Sequence, residues 1–251
     1  MSWWQAVLIF VAGLWAGTIN TVVGSGTLVT FPVLVTLGYP PVTATTSNAI
    51  GLIPGTIAGS IGYRRELAGQ RGRVLRLAVG STIGAALGTV LLLSLPESAF
   101  ETIVPALIVF ALVLVVLQPR LSGWLDRRGQ ERSEHGGALL WLLVFLLGIY
   151  GGYFTAAQGI MLVAVFGLLL TETLQRMNAL KNVLSAVVNT VAGAIYAVVA
   201  PVSWQVVALL AVSSTLGGML GAKIGRRLPP RVLRGVIVVI GLAAVVKLLL
   251  D

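Results

Sequence analysis

Two short polar runs interrupt long apolar stretches of this chain, and they hold most of the residues that could do chemistry. The first run is Asn20 with Ser25, Gly26 and Thr27; the second is Thr155, Gln158 and Gly159. If a short helix starts after each run, its first N–H groups are unpaired and carry a partial positive charge. Such an end suits an oxyanion, and glycine lets the backbone approach it closely. The plainer reading is that these glycines only permit a tight turn. Asn48 and Asn182 come next, with Ser47 before one and Lys181 before the other. Buried amides donate to anion oxygens or bond across helices. Asn189 lies further along the same segment as Asn182. Lys181 opens an apolar segment, where a cation is costly and by default a functional candidate. Its alternatives are snorkelling to the interface and pairing with Glu172.

Other chemistries find little support. Ser25 in a Gly-Ser-Gly turn could mimic a nucleophile, but the only histidine, His135, sits in a charged loop and no base is evident. The chain is therefore not expected to be an enzyme. It has no cysteine, which excludes disulfides and thiolate metal sites. No cofactor and no metal are expected. No Walker motif is present, and no carboxylate lies deep in an apolar segment. ATP use and a carboxylate proton relay are thus not visible, and the energy source stays open.

The elements that position these residues are membrane helices. Apolar residues make up 57% of the chain and charged residues 10%, and residues 1–63 carry no charge at all. Several stretches reach the ~20 residues that cross a bilayer. The net charge of +9 is concentrated in short loops, the pattern of cytoplasmic loops rather than of nucleic-acid binding. The N-terminus reads as a retained first membrane segment. Six spans are expected: 41–63, 76–95, 99–118, 177–200, 203–222 and 232–250. The stretches 3–38 and 138–170 would each measure roughly 50 Å as one helix, against a hydrocarbon core of about 30 Å. Each is interrupted by one of the polar runs, so each is expected to be a broken hairpin that enters the membrane and returns. Loop charge places 64–76, 119–136 and 223–234 inside and 96–101 and 200–203 outside.

The sequence also repeats. Asn48, Thr56, Ala58, Gly59 and Ile61 recur at one offset as Asn182, Thr190, Ala192, Gly193 and Ile195. Thr82, Gly84, Leu87, Gly88 and Pro96 recur as Thr215, Gly217, Leu220, Gly221 and Pro229. Gly13, Gly17 and Gly24 recur as Gly148, Gly152 and Gly159. Glu97 and Glu101 follow Pro96, whereas Arg231 and Arg234 follow Pro229. Matching loops then face opposite sides. The expected fold is all-α and polytopic, with two inverted repeats, 1–118 and 137–251, joined by a cytoplasmic linker at 119–136. Each repeat is one hairpin plus three transmembrane helices, an arrangement of secondary transporters. The spacings Gly80, Gly84, Gly88 and Gly217, Gly221, Gly225 are assigned to helix packing. Trp3, Trp4, Trp141 and Trp204 read as interface anchors.

The run Ala16-Gly17-Thr18-Ile19-Asn20-Thr21-Val22-Val23-Gly24-Ser25-Gly26-Thr27, with Pro32, Leu37-Gly38-Tyr39-Pro40-Pro41-Val42 and Ser47-Asn48 after it, resembles the opening of the sulfite exporter TauE/SafE family. Gly148-Ile149-Tyr150-Gly151-Gly152-Tyr153-Phe154 and Asn178-Ala179-Leu180-Lys181-Asn182 resemble its second half. The resemblance covers essentially the whole chain. It implies a multi-pass carrier of the bacterial inner membrane, an exporter of small sulfur-containing anions such as sulfite, sulfonates or sulfoacetate-type compounds. The alternative is an anion or small-solute channel built on two opposed hairpins, although the Asn-Pro-Ala turns of water channels are absent. Expected partners are a small anionic substrate and the lipid bilayer, with no nucleic acid; a homodimer is open.

Overall fold

Apolar side chains are prominent on the outside of this molecule as well as in its core. In the computed structural model Val79, Val90 and Val212 are each more than half exposed and Val198 is 82% exposed. Meanwhile Thr46, Ser47, Asn48, Lys181 and Ser214 are buried. A soluble protein rarely shows so continuous an apolar exterior; a lipid-facing one must. The structure describes residues 1–127 and 136–224, with two further helical positions at 239 and 242. The expected span 232–250, Arg226, Arg227, Arg231 and Arg234, and His135 with linker residues 128–135 lie outside the described residues.

All ten elements among the described residues are α-helices: α1 Trp3–Val22, α2 Thr27–Thr36, α3 Pro41–Gly51, α4 Ile53–Gly62, α5 Arg71–Ser94, α6 Glu97–Arg127, α7 Gly137–Tyr153, α8 Gln158–Leu169, α9 Leu174–Val199 and α10 Trp204–Ile224. Four helices, beginning at Trp3, Arg71, Leu174 and Trp204, are long and apolar enough to cross a membrane.

Both long apolar stretches break where the polar runs lie, between α1 and α2 and between α7 and α8. Each break has one residue in the left-handed region: Gly24 at φ +92° and Ala157 at φ +57°. The arms are unequal. At ~1.5 Å per residue the 20 residues of α1 and 10 of α2 give arms of about 30 and 15 Å. The span expected at 41–63 is itself two helices that meet at Leu52. Pro54 causes this break, because it has no N–H to continue the α3 ladder and fits the first turn of α4 instead. Helix α6 runs on to Arg127, past the expected start of the linker at residue 119. Charged residues end a membrane span, but they do not end a helix.

The largest interfaces are reciprocal. Helix α1 packs along α10, and α7 packs along α5. A Cβ on Gly17 would strike the Ser214 carbonyl, and one on Gly152 would strike the Ala85 carbonyl. Thr18 Oγ1 donates to the Gly217 carbonyl at 3.1 Å, and Thr89 Oγ1 to the Gly152 carbonyl at 3.5 Å. The helices that carry the repeated glycines thus pair alike, α1 on α10 and α7 on α5, although the individual residue contacts differ. Small residues let the backbones close to this distance, as the glycine spacing predicts.

Side chains also tie the two ends of the bundle. At one end Glu172 Oε1 bonds Arg73 Nη1 at 2.7 Å and its Oε2 bonds Arg176 Nε at 2.5 Å. Arg176 Nη1 reaches the Ala68 carbonyl at 3.1 Å, and Trp141 Nε1 the Arg76 carbonyl at 3.1 Å. Loops 63–70 and 170–173 thus share one end. At another, Thr46 Oγ1 donates to the Pro201 carbonyl at 2.6 Å, and Ser47 Oγ accepts from Ser203 N at 2.9 Å.

Burial alone would raise the carboxyl of Glu172, but the hydrogen bonds and charges of Arg73 and Arg176 outweigh it and hold the group below its ordinary value of 4.5. A carboxyl depressed on folding stabilises the fold above its ordinary pKa, and that contribution is lost as pH falls through the lower folded value. Glu172→Gln should therefore cost about 1–2 kcal/mol at neutral pH. The loss should shrink as the medium is taken below pH 4.5. Thermal unfolding of both proteins in detergent across that range checks it; a pH-independent difference would contradict it.

Candidate functional site

The two helix breaks touch. Gly159 N donates to the Gly24 carbonyl at 3.0 Å, a backbone bond between segments far apart in sequence. A Cβ on Gly24 would lie 2.5 Å from Gly159 Cα, and one on Gly159 would lie 2.5 Å from Gly24 Cα. Only glycine on both sides allows this contact. Phe31 of α2 packs edge-on against Phe154 of the second break, with ring centroids 5.3 Å apart, and fixes the hairpins' relative position.

Lys181 lies against this crossing. Its Cδ is 3.2 Å from the Cβ position of Gly24 and 3.0 Å from that of Gly159. The side chain is wholly buried. Its Nζ donates to the carbonyls of Asn20 at 2.9 Å and Thr21 at 3.1 Å. These are carbonyls of the last turn of α1, where the helix dipole is negative and a cation is favoured. Asn182 Nδ2 reaches the same Thr21 carbonyl at 3.4 Å. Both alternatives for Lys181 are thereby removed: it does not snorkel outward, and Glu172 is engaged by Arg73 and Arg176. An ammonium has three donors; the third has no partner among the described residues.

The remaining residues divide into those at the crossing and those beyond it. Asn20 is half-buried, and its Oδ1 accepts from Gly26 N at 2.6 Å, just before the start of α2. Asn48 links α3 to α2, accepting from Thr30 Oγ1 at 2.5 Å and donating to Thr27 Oγ1 at 3.2 Å. Thr155 Oγ1 donates to the Gly151 carbonyl at 3.1 Å. Gln158 Nε2 donates to the Leu147 carbonyl at 3.2 Å. Three buried oxygens at or near these helices have no hydrogen-bond partner: Ser25 Oγ, Gln158 Oε1 and Asn189 Oδ1. Buried polar atoms are rarely left so. Ser47 is turned to the 200–203 loop, away from the crossing.

Some residues at the site were not singled out from the sequence. Thr30 completes the Asn48 network, and its spacing three residues after Thr27, on one helix face, was the available signal. Tyr150 Oη donates to the Ala156 carbonyl at 2.6 Å and Tyr196 Oη to the Gly152 carbonyl at 2.5 Å. They hold the second break and the α7 end. A tyrosine in an apolar helix gives no sign in sequence of which backbone carbonyl it will serve.

The crossing has the unpartnered hydroxyl of Ser25, the Lys181 Nζ and the starts of α2 and α8 beside it. It has no metal-ligating cluster among the described residues.

Known proteins resemble the chain along almost its whole length. The chain is similar along 245 residues to a Haemophilus influenzae protein named "Probable membrane transporter protein", at 26% identity, covering 97% of this chain and 94% of that one. It is similar to the Escherichia coli K12 protein named "Probable membrane transporter protein YfcA", at 27% identity over 98% of this chain and 89% of that one. A Sinorhizobium protein named "Probable membrane transporter protein ORF9" is 24% identical over 97% and 92%. No solved structure matches. The model of the family described as sulfite exporter TauE/SafE matches residues 9–248. With that match spanning both hairpins and the crossing between them, the chain belongs to the sulfite exporter TauE/SafE family of membrane transporters.

Proposed function

We propose that the chain is a secondary exporter of small sulfur-containing anions, of the sulfite, sulfonate or sulfoacetate type, which bind where the two hairpins cross. The observation that carries this reading is Lys181: a fully buried lysine at the crossing with no carboxylate partner among the described residues. A buried charge is retained when something pairs with it, and here a substrate anion fills that role. The family's description as sulfite exporter supports sulfite as the class and outward as the direction.

The described state is closed at the crossing. Asn20 Oδ1 occupies the N–H of Gly26, and the Gly24 carbonyl occupies the N–H of Gly159. An anion displaces both, so loading requires the tips to part. Movement of one hairpin-plus-helices unit against the other, with the Glu172 end cytoplasmic, then exposes the site to each side in turn. The repeated glycine pattern of the sequence supports two such inverted units, each with its long hairpin arm packed on a helix from the other half of the chain.

Cysteine chemistry tests the site, because the chain has no cysteine of its own. Ser25→Cys and Gln158→Cys are expected to react slowly with a thiol reagent in proteoliposomes. Sulfite, methanesulfonate or sulfoacetate, whichever is transported, should slow them further, by about tenfold at an anion concentration tenfold above Kd. Labelling at both positions that ignores every transported anion would place the site elsewhere.

A further inference from the structure

We infer that Lys181 carries the coupling proton, so that each exported anion crosses together with one proton held on the Lys181 Nζ. This rests on the transport reading above and makes the crossing of a monoanion electroneutral, driven by the outward gradient of the anion itself.

Lys181 Nζ meets only the neutral carbonyls of Asn20 and Thr21. Among the described residues, no charge of opposite sign balances it from the helices packed against α9. Helices α1, α3, α4 and α8 contain no Asp, Glu, Lys, Arg or His. Helix α7 brings only Tyr150 and Tyr153, and the Tyr150 hydroxyl is bonded to Ala156. Helix α5 brings Arg71, Arg73 and Arg76 at its first turns, and Arg73 is spent on Glu172. On α9 itself Arg176 is spent on the same carboxylate, and Tyr196 bonds Gly152. Helix α10 ends at Lys223 and Ile224 and adds no carboxylate. Lys181 is therefore the one ammonium buried at the crossing among the described residues, and its charge has two possible fates.

With the anion present, ammonium and anion neutralise each other and the loaded site is no worse to bury than a salt bridge. With the anion gone, a bare ammonium is left in a low-dielectric interior, and lysine is the basic side chain that readily gives up its proton when buried. The empty transporter thus returns as the neutral amine. The cycle balances: Nζ takes a proton and the anion on one side, releases both on the other, and returns uncharged. A monoanion then crosses without net charge. Among the described helices only α6 carries carboxylates, Glu97, Glu101 and Asp126, and they lie toward its two ends.

A sulfonate probe makes the test sharp, because sulfonates stay ionised at all working pH values, so an accompanying proton must be carried by the protein. Proteoliposomes with wild-type protein, a trapped pH dye and methanesulfonate, sulfoacetate and sulfite as probes are the assay. The expected result is dye movement in the direction of anion flux, at about one proton per anion. In Lys181→Arg the charge stays but the proton does not leave. Net flux should then fall at least about tenfold more than anion-for-anion exchange does. Since arginine is larger, Lys181→Met gives a second arm: whatever flux it keeps should carry no protons. Anion flux without dye movement in the wild type, or proton-coupled flux in Lys181→Met, overturns the inference and leaves the transport reading standing. No flux of any probe overturns both.

Discussion

Lys181→Met should lose anion binding while the protein stays folded. Methionine nearly matches the lysine volume and suits an apolar interior, and exchanging a buried charge for an apolar group costs little stability. The carbonyl of Thr21 keeps its bond from Asn182, and that of Asn20 loses its lysine donor. The anion, by contrast, loses a charged donor in a desolvated site. That should cost about 2–3 kcal/mol, on the order of a hundredfold in affinity. Lys181→Arg keeps the charge and should keep part of the affinity. Binding measured by calorimetry on purified protein, beside its thermal unfolding, decides the matter. If Lys181 serves only to cap α1, the melting temperature falls and affinity does not change.

The second large effect is expected at the crossing, and the structure provides its own control. Gly24 and Gly38 sit at φ +92° and +90°. Alanine at either position pays for a left-handed backbone, about 1–2 kcal/mol. At Gly38 a Cβ meets nothing within 4 Å, while at Gly24 it lies 2.5 Å from Gly159 Cα and 2.9 Å from Gly159 C. These are backbone atoms, so the hairpins themselves must move. Gly24→Ala should therefore cost about 1–3 kcal/mol more than Gly38→Ala and abolish transport, whereas Gly38→Ala keeps it. Equal losses of stability and flux in the two variants would mean that the breaks do not meet as described.

The hairpin breaks were legible because a glycine-rich polar run inside an apolar stretch has few other uses. Their meeting was partly legible: the repeat pairs Gly24 with Gly159, and these are the two residues in contact. The break at Leu52 was not read, although Pro54 stands beside it, because the apolar run continues unchanged across it. Hydropathy reports the solvent of a segment and is blind to its hydrogen-bond ladder. Lys181 stood out by type alone. Its partners did not, because they are backbone carbonyls, which every residue has. The orphaned oxygens of Ser25, Gln158 and Asn189 are equally invisible in sequence, since an unmade hydrogen bond depends on every neighbour at once.

The pairing of α1 with α10 bears on how the protein is made. Thr18 and the Gly217 carbonyl that it bonds are 199 residues apart. At a synthesis rate of about 5–20 residues per second, the first helix waits roughly 10–40 seconds for its principal neighbour. During that time its groove of Gly13 and Gly17 faces lipid or the insertion machinery. The glycines that let α1 dock so closely leave it little grip until then. Helix α1 gains its broadest contact only when α10 is made, so a ribosome stalled before residue 204 should leave α1 more open to proteolysis and to quality control than in the finished protein.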